Sequence, residues 1–442
     1  MYSNAAAPAV REPHSTDHFE WEPTGGISFP GAYSKTDFDN RGDKGIQAAQ
    51  ERNRQNNRPS GSAEQTDRFL YLNGGLWGQL GNFGLTATAD ILRYDVSSSV
   101  AGQSPLAVGI TRINLCAAYA FLNNQLIVGG GLRMAYVALS EKSSSSSAAI
   151  DMFGAAPQAG LIVKPEGKQF RVGVTARLPV SAGTFNNITN LVIQSNSDGT
   201  TVRKAGDFIA PRKIVQPYEV EAGVAYQLGP RPLNPTWVDP VDHERELQAK
   251  VKREREYRLV SAQQEIANMP GSSALDRAAR AARIATLAHE ETILRSNEDL
   301  ELVNADRRLY EERRARYLNW PRERVLLLAS VLMTGASTEA VALEGFLEQR
   351  REIVGTRISV APRFALESEA VPNFLKVRSG VYLEPSRFAD GTHRQHFTFG
   401  ADFRLFAWSV FGIFPDHQWR VSAFIDAAER YQNFGVGIGT WH

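Results

Sequence analysis

The sequence holds one cysteine, Cys116, so it can build neither a disulfide framework nor a cysteine-based metal site. It has no run of about 18 consecutive apolar residues, which excludes a transmembrane helix. An excess of one charge is also missing. The 49 basic and 48 acidic side chains leave a net charge of +1, with no footprint for nucleic acid. Residues 1–10 show no basic stretch followed by an apolar one, so no signal peptide is visible. The eight histidines form no His-Glu-x-x-His pattern. His14 and His18 lie four apart in an irregular segment, and His393 and His396 lie in or beside a loop. Both pairs read as solvated rather than metal-bound, and no histidine is expected inside a strand, where a hydrolase base would have to face its nucleophile. No phosphate-binding loop, dinucleotide fingerprint or Gly-x-Ser-x-Gly elbow sits at a strand–helix junction. Gly129-Gly130-Gly131 reads as close packing inside a strand. No catalytic residue, metal site or cofactor is expected.

What the sequence does have is alternation, clearest over residues 355–405. Ile358, Val360, Pro362, Phe364 and Leu366 alternate with Arg357, Ser359, Ala361, Arg363 and Ala365. Leu375, Val377, Val381 and Leu383 alternate with Lys376, Arg378, Tyr382 and Glu384; Phe397, Phe399, Ala401 and Phe403 alternate with Thr398, Gly400, Asp402 and Arg404. Side chains on a strand point to opposite faces with period two, so each strand has an apolar face and a charged one. The same pattern recurs at 69–77, 82–94, 110–121, 125–139, 155–164, 170–179, 218–228, 323–334, 419–426 and 434–441, with a proline-broken version at 19–34. The tally is about fourteen strands, many of roughly 10–13 residues, which suits a membrane-spanning barrel better than a soluble sandwich.

Between strands, long polar connections (39–67, 95–106, 140–151, 181–217, 335–354, 384–395) fall on one side. The tight turns 78–81, 122–124, 165–168 and 367–372 fall on the other, together with one longer loop, 407–418, and the helical stretch 242–317; apart from those two, this is the outer-membrane asymmetry. The fold class is therefore an all-β membrane barrel of about 14 antiparallel strands. The apolar face points to lipid, where an unpaired charge at the midplane costs about 2–4 kcal/mol, and the charged face lines the lumen. Lumen-lining candidates are Asp90, Arg171, Arg177, Glu219, Glu221, Arg357, Arg363, Lys376, Arg378, Asp402, Arg404 and Arg420, with Asp426 of the same parity. They read first as a structural ladder of mixed charge.

The period changes at 242–317, which is rich in Arg, Glu, Ala and Leu and reads as two helices, 242–268 and 273–317, broken at Pro270-Gly271. Ser273 with Asp276 fits a capping box. At about 1.5 Å per residue the arms reach roughly 40 and 65 Å. They are either a solvated hairpin or an arm that binds a periplasmic protein. The expected organisation is an N-terminal remnant (1–17), a first barrel part (18–237, about eight strands), a helical insertion on the periplasmic side (238–322) and a second barrel part (323–442, about six strands).

Residues 361–405 resemble the late strands of the FadL/TodX-type outer-membrane transport family: strand, short turn, a strand ending in Tyr-x-Glu-Pro-Ser (Tyr382 to Ser386), loop, and a strand ending in Phe399-Gly400 to Phe403-Arg404-Leu405. Residues 160–180 and 211–226 are similar to the family's central hairpin and the segment after it. The resemblance implies a 14-stranded barrel in the bacterial outer membrane that passes long-chain fatty acids or aromatic hydrocarbons passively inward, its partners being lipid and an apolar ligand. It departs from the family in three places. Residues 1–17 are too short for the family's N-terminal hatch, 242–317 is an insertion, and the sequence ends on His442 rather than an aromatic. A structural barrel whose helices bind a periplasmic partner is the alternative.

Overall fold

The computed structural model describes residues 4–11, 18–30, 40, 65–97, 106–141, 150–184, 191–195, 201–205, 208–209, 213–237, 239–337, 354–388, 393–407 and 418–441. The expected loop at 39–67 and the connection at 335–354 fall almost wholly outside these residues. The chain divides into two units: Met1–Arg11, Glu20–Pro235 and Pro321–His442 form one, Glu12–Phe19 and Thr236–Trp320 the other.

The first unit is a closed antiparallel barrel. Its first half is β1 (Phe19–Ser28), β2 (Gln65–Leu80), β3 (Phe83–Ser97), β4 (Leu106–Phe121), β5 (Leu126–Glu141), β6 (Ile150–Val163) and β7 (Phe170–Arg177). Its second half is β8 (Glu219–Leu228), β9 (Val325–Thr334), β10 (Ser359–Val371), β11 (Leu375–Pro385), β12 (His393–Ala407), β13 (Gln418–Ala428) and β14 (Tyr431–Thr440). Each strand pairs with its sequence neighbours, and β1 closes on β14 with Gly25 opposite Ile438. The sheet has sixteen segments, because Val180–Thr184 continues β7 and Lys213–Gln216 leads into β8. Fourteen strands remain once these are joined to their neighbours, as the alternation predicts. A closed sheet leaves no unpaired edge, which is the condition for placing strands in lipid. A separate small sheet joins Leu191–Ser195, Thr201–Ala205 and Phe208–Ile209.

The two faces sort as the alternation requires. Phe364, Phe397 and Ile438 lie outside at 57, 61 and 48% exposure, while Asp402 and His396 lie inside at 1%. No described helix is long and apolar enough to cross a membrane. Short turns use left-handed backbone where the chain reverses most sharply, at Leu122, Asn123 and Asn124 with φ of 52°, 52° and 64°.

Prolines interrupt the wall at one level. Beyond Arg177 the strand breaks at Leu178-Pro179, and its partner breaks at Pro217 before β8. Proline brings no N–H to the ladder, so nearby carbonyls lose partners. Arg133 of β5, 4% exposed, replaces them. Its Nε and Nη2 donate to the Leu178 carbonyl at 3.0 and 2.6 Å, and Nη2 also donates to the Pro217 carbonyl at 2.7 Å.

The second unit is a helical hairpin, α1 (Pro240–Asn268) and α2 (Ala274–Leu318), inserted between β8 and β9. The first helix starts two residues earlier than its periodicity predicts, because Asp239 caps it by accepting from Val241 N at 2.9 Å and Pro240 follows at the first turn. The predicted capping box closes α2: Ser273 Oγ accepts from Asp276 N at 3.0 Å, and Asp276 accepts from Ser273 N at 2.9 Å. The hydrogen bond from the Ser273 backbone holds the Asp276 carboxyl below its usual range. Between the helices Glu298 takes Arg255 and Arg258, and Arg283 reaches Glu265 at 2.8 Å. Burial pushes the Glu298 carboxyl up, but hydrogen bonds from the two arginines outweigh it and hold it below the carboxylate range.

Candidate functional site in the barrel lumen

The N-terminal segment enters the barrel. Residues 4–11 form a short 3-10 turn over Ala7–Ala9 and lie on the inner wall near the short-turn end. Five polar anchors hold it. Asn4 Nδ2 donates to the carbonyls of Leu161 (3.3 Å) and Val174 (3.1 Å). The Trp77 indole donates to Pro8 O at 2.7 Å, Gln79 Nε2 to Ala9 O at 3.2 Å, and Arg11 Nη2 to Gly81 O at 2.8 Å. Ala6 and Ala9, both fully buried, pack against Ala118, Ala120 and Ile127. This close approach explains two glycines: a Cβ on Gly84 would overlap the Pro8 carbonyl, and one on Gly129 would overlap the Ala5 backbone. Residues 1–17 are short for a hatch, yet residues 4–11 reach the inner wall. A few residues suffice because small side chains on the segment meet small side chains on the wall.

Between this segment and the opposite wall lies a cavity of about 510 Å³. That is a volume suited to one small organic ligand. Asn4, Ala7 and Val10 line one side; Ala225, Leu328, Ala365 and Gly380 line the other. Arg171, Glu221, Arg363 and Tyr382 add a polar margin.

Most of the predicted charged residues face the lumen and are paired there. Arg177 bridges Glu219 at 3.1 Å and Glu221 at 3.7 Å, and Arg133 reaches the same Glu219 at 3.3 Å. Arg363 meets Glu221 at 3.4 Å and keeps 42% of its side chain exposed. Arg171 donates to Asn234 Oδ1 and the Leu233 carbonyl, both at 2.7 Å. Towards the short-turn end, Arg378 joins Glu367 (2.7 Å) to Asp402 (2.7 Å), and Arg420 binds the same Asp402. Lys376 is 5% exposed, with its ammonium 4.2 Å from the Trp441 ring centre. Asp90 stands opposite Arg112 in the β3–β4 register. Arg404 donates to the Asn373 carbonyl at 3.2 Å, at a turn rather than in the cavity. Arg357 is placed differently from its parity: it precedes β10, which begins only at Ser359, and is exposed.

Histidine placement also differs from the sequence reading. The strand β12 starts at His393, so His396 is its fourth residue and points inward at 1% exposure. It is not solvated. His18 is half-buried in the other unit, with Nδ1 at 2.8 Å from Asp239. Sequence reasoning placed Glu384 on the charged face but missed Arg133 and Glu367. Each sits at a lumen-facing position of its strand, so strict parity counting would have found them. The run Tyr2-Ser3-Asn4-Ala5-Ala6 resembles a remnant of the family's aromatic-x-Asn-Pro-Ala hatch sequence without its proline, but the sequence does not give the partners of Asn4, which are 157 and 170 residues away.

No protein-family model and no curated protein match this sequence. Solved structures do match it over most of their length. The CymD monoaromatic hydrocarbon channel aligns at 8% identity and TM-score 0.45, covering 98% of this chain and 91% of that one. A Pseudomonas aeruginosa FadL homologue aligns at 9% and 0.49, covering 99% and 93%. The Pseudomonas putida toluene transporter TodX aligns at 9% and 0.46, covering 99% and 90%. The likeness is one of barrel architecture. At these scores it lends no weight to any residue's role or to a cargo, which rest on the chain's own geometry.

Proposed function

We propose that this chain is an outer-membrane barrel for passive uptake of small hydrophobic molecules, without enzymatic chemistry. The observation behind this reading is the cavity of about 510 Å³, with apolar walls at Val10, Leu328 and Ala365 and a polar margin at Arg171, Arg363 and Tyr382. An apolar body fits the walls, and the margin keeps the entrance wet. The anchored segment 4–11 is the barrier that a solute must displace or skirt. The lumen charges Arg177, Glu219, Glu367, Arg378, Asp402 and Arg420 pair with one another and act as the ladder that holds the wall in shape.

The test is whole-cell uptake of N-phenylnaphthylamine, an uncharged apolar fluorophore, in a Gram-negative host producing the protein. A faster fluorescence rise than in empty-vector cells supports uptake. Equal rates at verified outer-membrane expression contradict it.

A second reading has its own observation. The helix α2 leaves Leu275, Leu300 and Val303 at 82, 58 and 60% exposure, which suits a periplasmic protein partner. Deleting residues 242–317 should then release a cross-linked partner while the barrel still folds.

A further inference from the structure

One cluster in the lumen is not part of the charge ladder. His396 stacks flat on Tyr382, with ring centres 4.3 Å apart and planes at 14°, and meets the edge of Tyr431 at 5.0 Å. Its Nδ1 is 2.9 Å from Asp426 Oδ1 on β13, and its Nε2 is 3.0 Å from Glu384 Oε2 on β11. The Tyr382 hydroxyl donates to the other Asp426 oxygen at 2.7 Å. Arg394 lies over the Tyr431 ring, donates to Glu384 from Nη2 at 2.6 Å, and places its Nε 3.2 Å from His396 Nε2. The charged and titratable groups around His396 are thus Tyr382 and Glu384 on β11, Arg394 on β12, Asp426 on β13 and Tyr431 on β14.

This arrangement has two alternative hydrogen-bond patterns. As an imidazolium the ring donates to Asp426 and Glu384 together, and two cations balance two carboxylates. As a neutral ring it donates only to Asp426, Nε2 accepts from Arg394, and one buried negative charge is left over. Tyr382 senses the difference, because a tyrosine face is held more strongly by a cation than by a neutral ring. Tyr382 also lines the cavity and stands opposite Arg363 in the β10–β11 register.

We propose that His396 is a positioning residue for the cavity. In its protonated form it pins Tyr382 flat on the wall and keeps the cavity open. On deprotonation Tyr382 is released to swing inward and narrow it. This rests on the uptake reading, in which the cavity is the solute's site.

The test is native mass spectrometry of the full chain with dodecanol, an alcohol whose charge does not change over the scan, from about pH 5 to about pH 9. Occupancy of the wild type should fall several-fold as pH rises, and in H396Q it should be level across the scan. The Tyr382→Phe variant keeps the stack but loses the Asp426 bond, and should retain a weaker slope. If H396Q does not fold, the wild-type and Tyr382→Phe profiles decide. A level wild-type profile with dodecanol bound overturns the positioning role alone, as does an unchanged slope in H396Q. Absence of dodecanol at every pH overturns the uptake reading of the cavity and this proposal with it.

Discussion

Arg133→Met is the sharpest probe of how the barrel wall is held. The substitution removes a guanidinium that is 4% exposed and keeps most of the side chain's apolar length. Lost with it are the donations to Leu178 O and Pro217 O, at 2.6–3.0 Å, and the contact with Glu219 at 3.3 Å. Glu219 keeps Arg177, so no carboxylate is left bare. Prolines at 179 and 217 interrupt the ladder beside the two carbonyls, so water is what is left to replace the guanidinium. Hydrogen bonds to a charged group contribute about 1.5–3 kcal/mol each, and lumen water recovers part of that, so the net loss should be about 2–4 kcal/mol. Urea unfolding of the protein in lipid vesicles reads the total, and hydrogen exchange at residues 175–184 and 213–221 reads the local opening. A control, Arg363→Met, removes one 3.4 Å contact from a side chain 42% exposed and should cost under about 1 kcal/mol. If Arg133→Met costs no more than this control, the wall does not depend on the arginine and the reasoning fails.

Gly129→Leu should expel residues 4–11 from the inner wall, since its side chain would occupy the space of the Ala5 backbone; added protease should then cleave near Arg11 in the variant and not in the wild type. Trp77→Phe removes the 2.7 Å bond to Pro8 O and should loosen the same segment more mildly, seen as faster exchange of the Ala9 and Val10 amides. The Asp276 carboxyl titrates below its unfolded value, so its cap is in place above pH about 4 and is lost as pH falls through the lower, folded value. Amide protection at 274–278 should drop over that acid range in the wild type and be low throughout in Ser273→Ala.

Much of the barrel was legible because the strands keep their charges strictly to one face. A charge on the wrong parity is costly, so Phe364, Phe397 and Phe399 had to face out while Arg363, Asp402 and Arg404 faced in. The capping box was equally legible, because all its atoms lie within four residues. What stayed hidden depends on distant partners. Residues 4–9 look irregular, and their place is set by glycines at 84, 129 and 160. His396 looked solvated because its strand begins three residues earlier than its alternation suggested, and both of its carboxylate partners lie on neighbouring strands. The breaks at Pro179 and Pro217 were visible as prolines, but nothing local says that they lie side by side or that Arg133 bridges them.

The central claim is that the lumen cavity holds an apolar molecule. Native mass spectrometry of the detergent-purified chain with dodecanol, comparing wild type with Ala365→Trp, tests it most directly, because Ala365 faces the cavity and an indole there fills it. One dodecanol bound per wild-type chain and none per Ala365→Trp chain is the predicted result. Equal occupancy of the two, or no occupancy of the wild type, would contradict the claim.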